Sequence, residues 1–259
     1  MLIMLSKLQA ERYSRNILIK EIREEGQEKL LNSKVLCIGT GGLGSAIIYY
    51  LVSAGVGKVG IVDNELVELS NLQRQILHST KDIGKAKVSS AKEKLNNLNP
   101  DVKIVTYNER ITKLNIMEII KRYDAVIDGS DNFGTRFLVN DACYFAKKPL
   151  FYGAVLAMEG QASTFIPDKN NPCYRCLYPE LPLEGVLLTT GEVGILGAVP
   201  GIIGIIQATE CIKYLVGIGE LLIGRLLIYD ALRLRFREAI LKKDSKCPLC
   251  GDNPVIKNL

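Results

Sequence analysis

Three groups of residues in this chain have types and spacings that chemistry uses. Gly39, Gly41 and Gly44 fit the pattern G-x-G-x-x-G, with Gly42 between them, after one apolar run and before a second with helical spacing. Glycines there permit a tight turn and let backbone N–H groups approach a phosphate at a helix N-terminus. Asp63 follows Gly39 by 24 positions and ends the next apolar run, where a carboxylate accepts hydrogen bonds from ribose hydroxyls. The pattern does not separate NAD from ATP, and the same glycines also serve simply to pack a helix on a strand.

Beyond Asp63 the chain turns polar, with Ser70, Asn71, Gln73, Arg74 and Gln75 almost adjacent, then Lys85 and Lys87. Asp128-Gly129-Ser130-Asp131-Asn132 follows a later apolar run. In a parallel sheet the carboxyl ends of neighbouring strands converge on a nucleotide crevice. Arg74, Lys87 and Asp131 would then surround a triphosphate: cations offset phosphate charge, and a carboxylate holds Mg²⁺. The plainer reading is a set of charges on solvated loops.

Cys173-x-x-Cys176 and Cys247-x-x-Cys250 are matched pairs, with 71 positions from Cys176 to Cys247. Two such pairs can close one tetrahedral thiolate site, predicted to hold Zn²⁺. Four sulfurs leave no open position for water, so the role is structural. Such a site contributes on the order of 10 kcal/mol, with strong pH dependence. An iron–sulfur cluster and a redox C-x-x-C are the alternatives. Cys37, Cys143 and Cys211 lie in apolar runs and read as inert core residues.

These residues need elements to hold them. Residues 34–39 and 58–62 are short apolar runs, read as buried strands flanking a helix that starts after the glycine turn and stops at Gly55. Residues 84–98 read as an amphipathic helix closed by Pro100, 102–107 and 123–127 as strands, 133–147 as a helix and 149–155 as a strand. Residues 159–166 and 225–237 look strand-like and 198–216 helical. The alternation predicts an α/β fold, a Rossmann-like, mostly parallel sheet with helices on both faces. The last third is expected to finish the same sheet and carry the zinc staple, as a single domain over 1–259: a nucleotide-binding part at about 30–155 and a zinc-stapled part at about 156–259.

Composition sets the outer bounds. The chain has 259 residues, 47% hydrophobic and 24% charged, which excludes disorder, collagen and coiled coil. A net charge of +5 is too mild to argue for nucleic acid. Seven cysteines in an odd count, two close pairs among them, do not suit a secreted disulfide scaffold. Leu2–Leu5 is too short for a signal-peptide core, and the uncharged stretch 193–209 is broken by glycines and Pro200 and falls short of a membrane span. A cytoplasmic, reducing compartment with no membrane partner is the expectation.

Taken together and in order, ERYSRN at 11–16, the glycine loop at 39–45, Asp63, SNLQRQ at 70–75, Lys87, DGSDN at 128–132 and the cysteine pairs resemble the ThiF/MoeB/HesA family of ubiquitin-activating-type adenylyltransferases. The resemblance covers the chain from about residue 7 onward. It implies adenylation, with ATP and Mg²⁺, of the C-terminal glycine of a ubiquitin-like sulfur carrier ending in Gly-Gly, for molybdopterin or thiamine synthesis. By matching motif, Gly39, Gly41, Gly42 and Gly44 would form the nucleotide loop and Asp63 would hold the ribose. Ser70, Asn71, Gln73, Arg74 and Lys87 would line the phosphate side. Asp131 would bind Mg²⁺ with Asn132 beside it. Arg15 resembles the arginine that reaches the ATP of a neighbouring subunit, which implies a homodimer. A carboxylate is already ionised at pH 7, so no general base is needed, and His78 is expected to be ordinary polar surface or turn.

Two features depart from this pattern or add to it. Many relatives carry a reactive cysteine after the first C-x-x-C, where this chain has Thr190, and a hydroxyl cannot form a persulfide. Adenylation without a covalent carrier–enzyme intermediate is expected, with sulfur supplied by a separate donor protein. In LRLRFRE at 232–238, leucines and Phe236 alternate with arginines, which predicts a strand with an apolar and a basic face. That face is either simply solvated or a dock for an acidic carrier. Three alternatives stay open: adenylation of a small-molecule or tRNA-linked carboxylate, an NAD(P)-binding oxidoreductase on the same loop, and a zinc-stapled binding scaffold without turnover.

Overall fold

The computed structural model describes residues 5–181 and 190–259. Three helices lead in: α1 (Lys7–Arg12), α2 (Ser14–Ile17) and α3 (Arg23–Asn32). Alternating elements follow: β1 (Lys34–Ile38), α4 (Gly42–Ser53), β2 (Lys58–Val62), α5 (Lys87–Leu98), β3 (Lys103–Tyr107), α6 (Ile116–Ile120), β4 (Ala125–Asp128), α7 (Phe133–Ala146) and β5 (Leu150–Leu156). The chain then runs through β6 (Glu159–Phe165), α8 (Tyr174–Leu177), α9 (Thr190–Val193), α10 (Ala198–Val216), β7 (Arg225–Asp230) and β8 (Arg235–Ile240).

The eight strands form one sheet in the order β3-β2-β1-β4-β5-β6-β7-β8. The first five in that order pair in parallel, and β5 to β8 pair antiparallel. β1 and β2 are buried along nearly their whole length, which is why they read as unbroken apolar runs. Helices cover both faces. On one, Leu43, Ile47 and Leu51 of α4 meet Val88 and Leu95 of α5 and Ile203 of α10. On the other, Ile116 and Ile120 of α6 meet Phe137 and Val139 of α7 and Tyr152 of β5. Each fully buried isoleucine or leucine of this kind stabilises by roughly 1.5–3 kcal/mol. The strands after residue 156 do extend the same sheet, as the sequence predicts.

The register matters for function. Ile38, the last residue of β1, pairs with Val62 on one side and Asp128 on the other. The chain segments leaving β1, β2 and β4 therefore start at one level, and the strand order reverses direction between β1 and β4.

Two expectations change. The stretch 225–237 is not one strand but the β7–β8 hairpin, with Ala231–Leu234 in the turn. Leu232 and Leu234 are exposed residues of that turn, and every residue of β8 is exposed. The helix expected over 84–98 begins at Lys87, since Gly84, Lys85 and Ala86 are engaged in loop and bridge hydrogen bonds with Val67, Asp82 and Leu66. By length and composition α10 could cross a membrane, but half of it is buried within the protein. Glu210 in its middle accepts from the Thr164 hydroxyl at 2.7 Å and the Leu222 amide at 2.6 Å, as in a core helix.

Candidate functional site

A cavity of about 370 Å³ opens at the carboxyl ends of β1, β2 and β4. This is the point of strand-order reversal, where open α/β sheets bind ligands. Its lining includes Gly39, Gly41, Gly42, Asp63, Arg74, Lys87, Asp131 and Asn132.

The glycine loop is fixed by close approach. Gly39 has φ +88°, and a Cβ there would lie 2.9 Å from the carbonyl oxygen of Gly129. Gly44 does not face the cavity. A Cβ on it would stand 2.1 Å from the Gly39 carbonyl oxygen, so it lets α4 start hard against β1. Asp63 is held by its neighbours. Its Oδ2 accepts from the Thr40 amide at 2.8 Å and the Thr40 hydroxyl at 2.7 Å, and its Oδ1 from the Glu65 amide at 2.9 Å.

The cations approach from two sides. Lys87 opens α5 and is 2% exposed, with Nζ 2.5 Å from Glu65 Oε2. Arg74 follows the 3-10 turn Leu69–Asn71 and donates from Nη1 to the Ser70 carbonyl at 3.1 Å. Ser70, Asn71 and Gln73 do not line the cavity. The Asn71 carboxamide oxygen accepts from the Glu68 amide and the Ser70 hydroxyl reaches Glu68, so these two shape the turn that presents Arg74. Asp131 and Asn132 are exposed at the cavity edge. Asn132 also caps α7, accepting from the Thr135 amide at 2.9 Å. Arg15 on α2 is exposed and lies outside this cavity. Thr190 begins α9, and its side chain lies outside the described residues.

Other functional candidates escape the sequence motifs. Arg136, one turn into α7, is buried yet lines the cavity, donating from Nη2 to the Ser130 carbonyl at 3.1 Å. It is the one basic residue in α7, which is the signal that could have found it. Below it, Asp128 is fully buried, and burial pushes its carboxyl above the usual carboxylate range, opposed by Arg136 and by the Ser130 hydrogen bonds. Gln75 Oε1, Ser130 Oγ and Arg136 Nε, all from cavity-lining residues, are buried without a partner among the described residues. Buried polar atoms need partners, so the cavity suits a ligand offering both donors and acceptors. His78 corrects the expectation of a surface or turn residue. It is buried, with its ring nitrogens 3.0 Å from Ser90 Oγ and 3.2 Å from the Thr40 carbonyl oxygen.

The cysteine pairs meet against Tyr144 and Phe145 at the C-terminal end of α7. The sulfurs of Cys173, Cys176, Cys247 and Cys250 all lie within 4.8 Å of one another. Cys173–Cys247 and Cys176–Cys250 are separated by 3.6 and 3.4 Å. A tetrahedron with metal–sulfur bonds of about 2.3 Å has edges of about 3.8 Å, and a disulfide would need about 2.05 Å. The donor set therefore fits one metal ion and is too tight for a cluster of several. The Tyr174 amide donates to Asn140 Oδ1 at 2.9 Å, and Arg175 donates to both carboxylate oxygens of Asp141, tying this loop to α7.

The model of the ThiF family matches residues 13–249. The sulfur carrier protein adenylyltransferase of Thermus thermophilus is 43% identical over 258 residues, covering 98% of this chain and 95% of that protein. The SAMP-activating enzyme E1 of Haloferax volcanii is 46% identical over 255 residues, covering 98% of this chain and 94% of that protein. Among solved structures, E. coli MccB bound to a MccA derivative superimposes with a TM-score of 0.83 at 23% identity, covering 95% of this chain and 75% of that one. That last likeness speaks to the fold.

Proposed function

The chain belongs to the ThiF family, and from that membership we propose that it uses ATP to adenylate the C-terminal glycine carboxylate of a ubiquitin-like sulfur carrier protein, releasing pyrophosphate. The observation that carries this reading is the convergence of the glycine loop, Asp63, Arg74, Lys87 and Asp131 on one cavity.

The residues divide the work. Backbone N–H groups at the start of α4 cradle phosphate, and Asp63 accepts from the ribose hydroxyls. The carrier's carboxylate, ionised at pH 7, bonds to the α-phosphorus while the bond to pyrophosphate breaks. Arg74 and Lys87 offset the charge that builds on the departing pyrophosphate, and Arg136 adds a third cation at the floor. Asp131 offers hard oxygen donors of the kind Mg²⁺ prefers, and the ion when bound would neutralise phosphate charge. Ser70, Asn71 and Gln73 act through the placement of Arg74, and Asn132 through the cap of α7.

Other parts of the reading rest on surface features. Leu18, Ile19, Leu69 and Ile76 are exposed apolar side chains. They support a homodimer in which exposed Arg15 serves the partner's cavity. The exposed strand β8, with Phe236 between Arg235 and Arg237, supports docking of an acidic carrier. The four-sulfur site supports a structural Zn²⁺. We read the whole chain as one adenylation unit, its part at 30–155 binding nucleotide and the rest binding carrier. Seven cysteines with no disulfide among the described residues suit a reducing compartment. Sulfur transfer, in molybdopterin or thiamine synthesis, falls to a separate donor.

The test is ATP–pyrophosphate exchange against a panel of diglycine-ended carriers and small carboxylates. Exchange that needs a carrier is the expected result. Exchange with a small carboxylate alone, or binding of NADH in place of ATP, overturns the reading.

A further inference from the structure

His78 is the chain's single histidine, and only 6% of it is exposed. Its Nε2 faces the Thr40 carbonyl oxygen at 3.2 Å and its Nδ1 faces Ser90 Oγ at 3.0 Å. A carbonyl can only accept, so Nε2 carries the proton. In the neutral ring Nδ1 then accepts, and the Ser90 hydroxyl is its donor. The chain of bonds is consistent beyond that point, because Ser90 Oγ itself accepts from Lys94 Nζ at 2.9 Å. Burial pushes the imidazole pKa below its ordinary value; the Thr40 carbonyl and Asp63 act against this, while the ammonium groups of Lys87 and Lys94 add to it. The neutral ring is the form the site selects.

Both partners of that ring belong to the nucleotide site. Thr40 lies inside the glycine loop and holds Asp63 through its amide and hydroxyl. Ser90 sits one turn along α5 from Lys87. The Thr40–Gly41 peptide has a further property. A trans peptide points its C=O and N–H in opposite directions. With the Thr40 carbonyl turned to His78, the Gly41 N–H points away from the ring. Gly41 lines the cavity, and its N–H makes no hydrogen bond among the described residues. Glycine tolerates either orientation of such a peptide at little cost, so the loop alone does not choose.

We propose that His78 is a positioning residue for nucleotide, locking the Thr40–Gly41 peptide so that the Gly41 N–H stays presented to phosphate, and tying the glycine loop to the helix that supplies Lys87. This rests on the adenylation reading only in naming the ligand as a nucleoside triphosphate. Two substitutions separate its two bonds. In His78→Gln the carboxamide nitrogen can reach the place of Nε2 and keep the bond to Thr40. In His78→Asn the shorter amide can reach only the place of Nδ1 and keeps the bond to Ser90.

Direct titration with ATP, ATP-dependent kinetics and thermal melting would be measured on the wild type and both variants. His78→Asn should raise the Kd and KM for ATP about tenfold, the loss of one well-placed hydrogen bond, with kcat within about threefold. His78→Gln should stay within about threefold of wild type for all three, although both variants melt at similarly lower temperatures. Equal weakening in the two, or none in His78→Asn, overturns the proposal. The single imidazole also gives an unambiguous nitrogen NMR signature, expected to be the Nε2–H tautomer, and an Nδ1–H tautomer overturns it as well. A wild type that binds ATP but never shows carrier-dependent exchange overturns the carrier reading and leaves the His78 comparison standing.

Discussion

Thr40 donates twice to a single oxygen of Asp63, through its amide at 2.8 Å and its hydroxyl at 2.7 Å. A carboxylate held this way cannot swing when a ribose arrives. Thr40→Val keeps the amide donor and the side-chain shape but removes the hydroxyl. The KM for ATP should rise about three- to tenfold, the worth of roughly one hydrogen bond to a charged group, and kcat should change little. An unchanged KM would mean that the amide alone fixes Asp63.

Asp131 is exposed and, among the described residues, its carboxylate accepts only a long 3.4 Å hydrogen bond from its neighbour Asn132. Asp131→Asn should therefore leave the melting temperature within experimental error. Pyrophosphate exchange should fall about 10²–10³-fold, the usual cost of losing one electrostatic stabiliser in such a site. The Mg²⁺ concentration for half-maximal rate should rise. A variant that is fully active at wild-type Mg²⁺ would remove Asp131 from the metal role.

Arg136 is buried over Asp128, so removing it strands a carboxyl as well as emptying part of the cavity. Arg136→Met should destabilise by about 1–3 kcal/mol, the range for losing a charged hydrogen bond and leaving a buried polar group without its partner. Asp128→Asn, combined with Arg136→Met, should recover part of that stability without recovering exchange. Denaturant unfolding and exchange on the same samples would separate the two effects, and recovered exchange would deny Arg136 a part in binding.

The sulfur site should hold one metal ion per chain. Zinc-type sites bind with roughly 10–16 kcal/mol, comparable with a whole domain's stability of about 5–15 kcal/mol. Cys250→Ser, or a strong chelator, should remove the metal and lower the melting temperature sharply. Because Tyr174 and Arg175 are bonded to α7, ATP affinity should fall too. Melting that ignores the chelator would refute the structural role.

Acid should act in two separate windows. The folded pKa of His78 lies below its ordinary 6.5, so the unfolded chain takes up that proton first. Stability is full above pH 6.5 and falls as the pH drops through that value toward the folded one; His78→Gln should lack this loss. For Asp82, burial pushes the carboxyl up, but Lys94, Ser79 and Lys85 outweigh it and hold it below its ordinary 3.8. Its contribution is present above pH 3.8 and is lost only as the pH falls below that value. Melting curves from pH 8 to pH 3 would show whether the first step belongs to histidine, and an identical step in His78→Gln would show that it does not.

What could be read from the residues was what backbone rules and donor types dictate. The glycine loop announces itself because Gly39 needs positive φ and Gly44 tolerates no side chain. The sulfur site announces itself because paired thiolates at fixed spacing have few other uses. Arg136 reaches the cavity only because β1 and β4 are neighbours, a fact of topology rather than of local pattern. His78 reads as a surface residue because a histidine beside Ser79 and Thr80 looks solvated, whereas its burial depends on α5, whose Ser90 faces the ring. The hairpin after β7 reads as one strand because a turn with leucines in it mimics the alternation of a strand.

The distance between the two cysteine pairs has a consequence for the order in which the protein is made. Cys173 and Cys176 precede α10, β7 and β8, whereas Cys247 and Cys250 follow them. On the ribosome the first pair must wait as bare thiols until the whole C-terminal side of the sheet has been synthesised. Metal capture would thus report that the sheet has closed through β8, and a nascent chain stalled before residue 247 has half a ligand set and nothing to close.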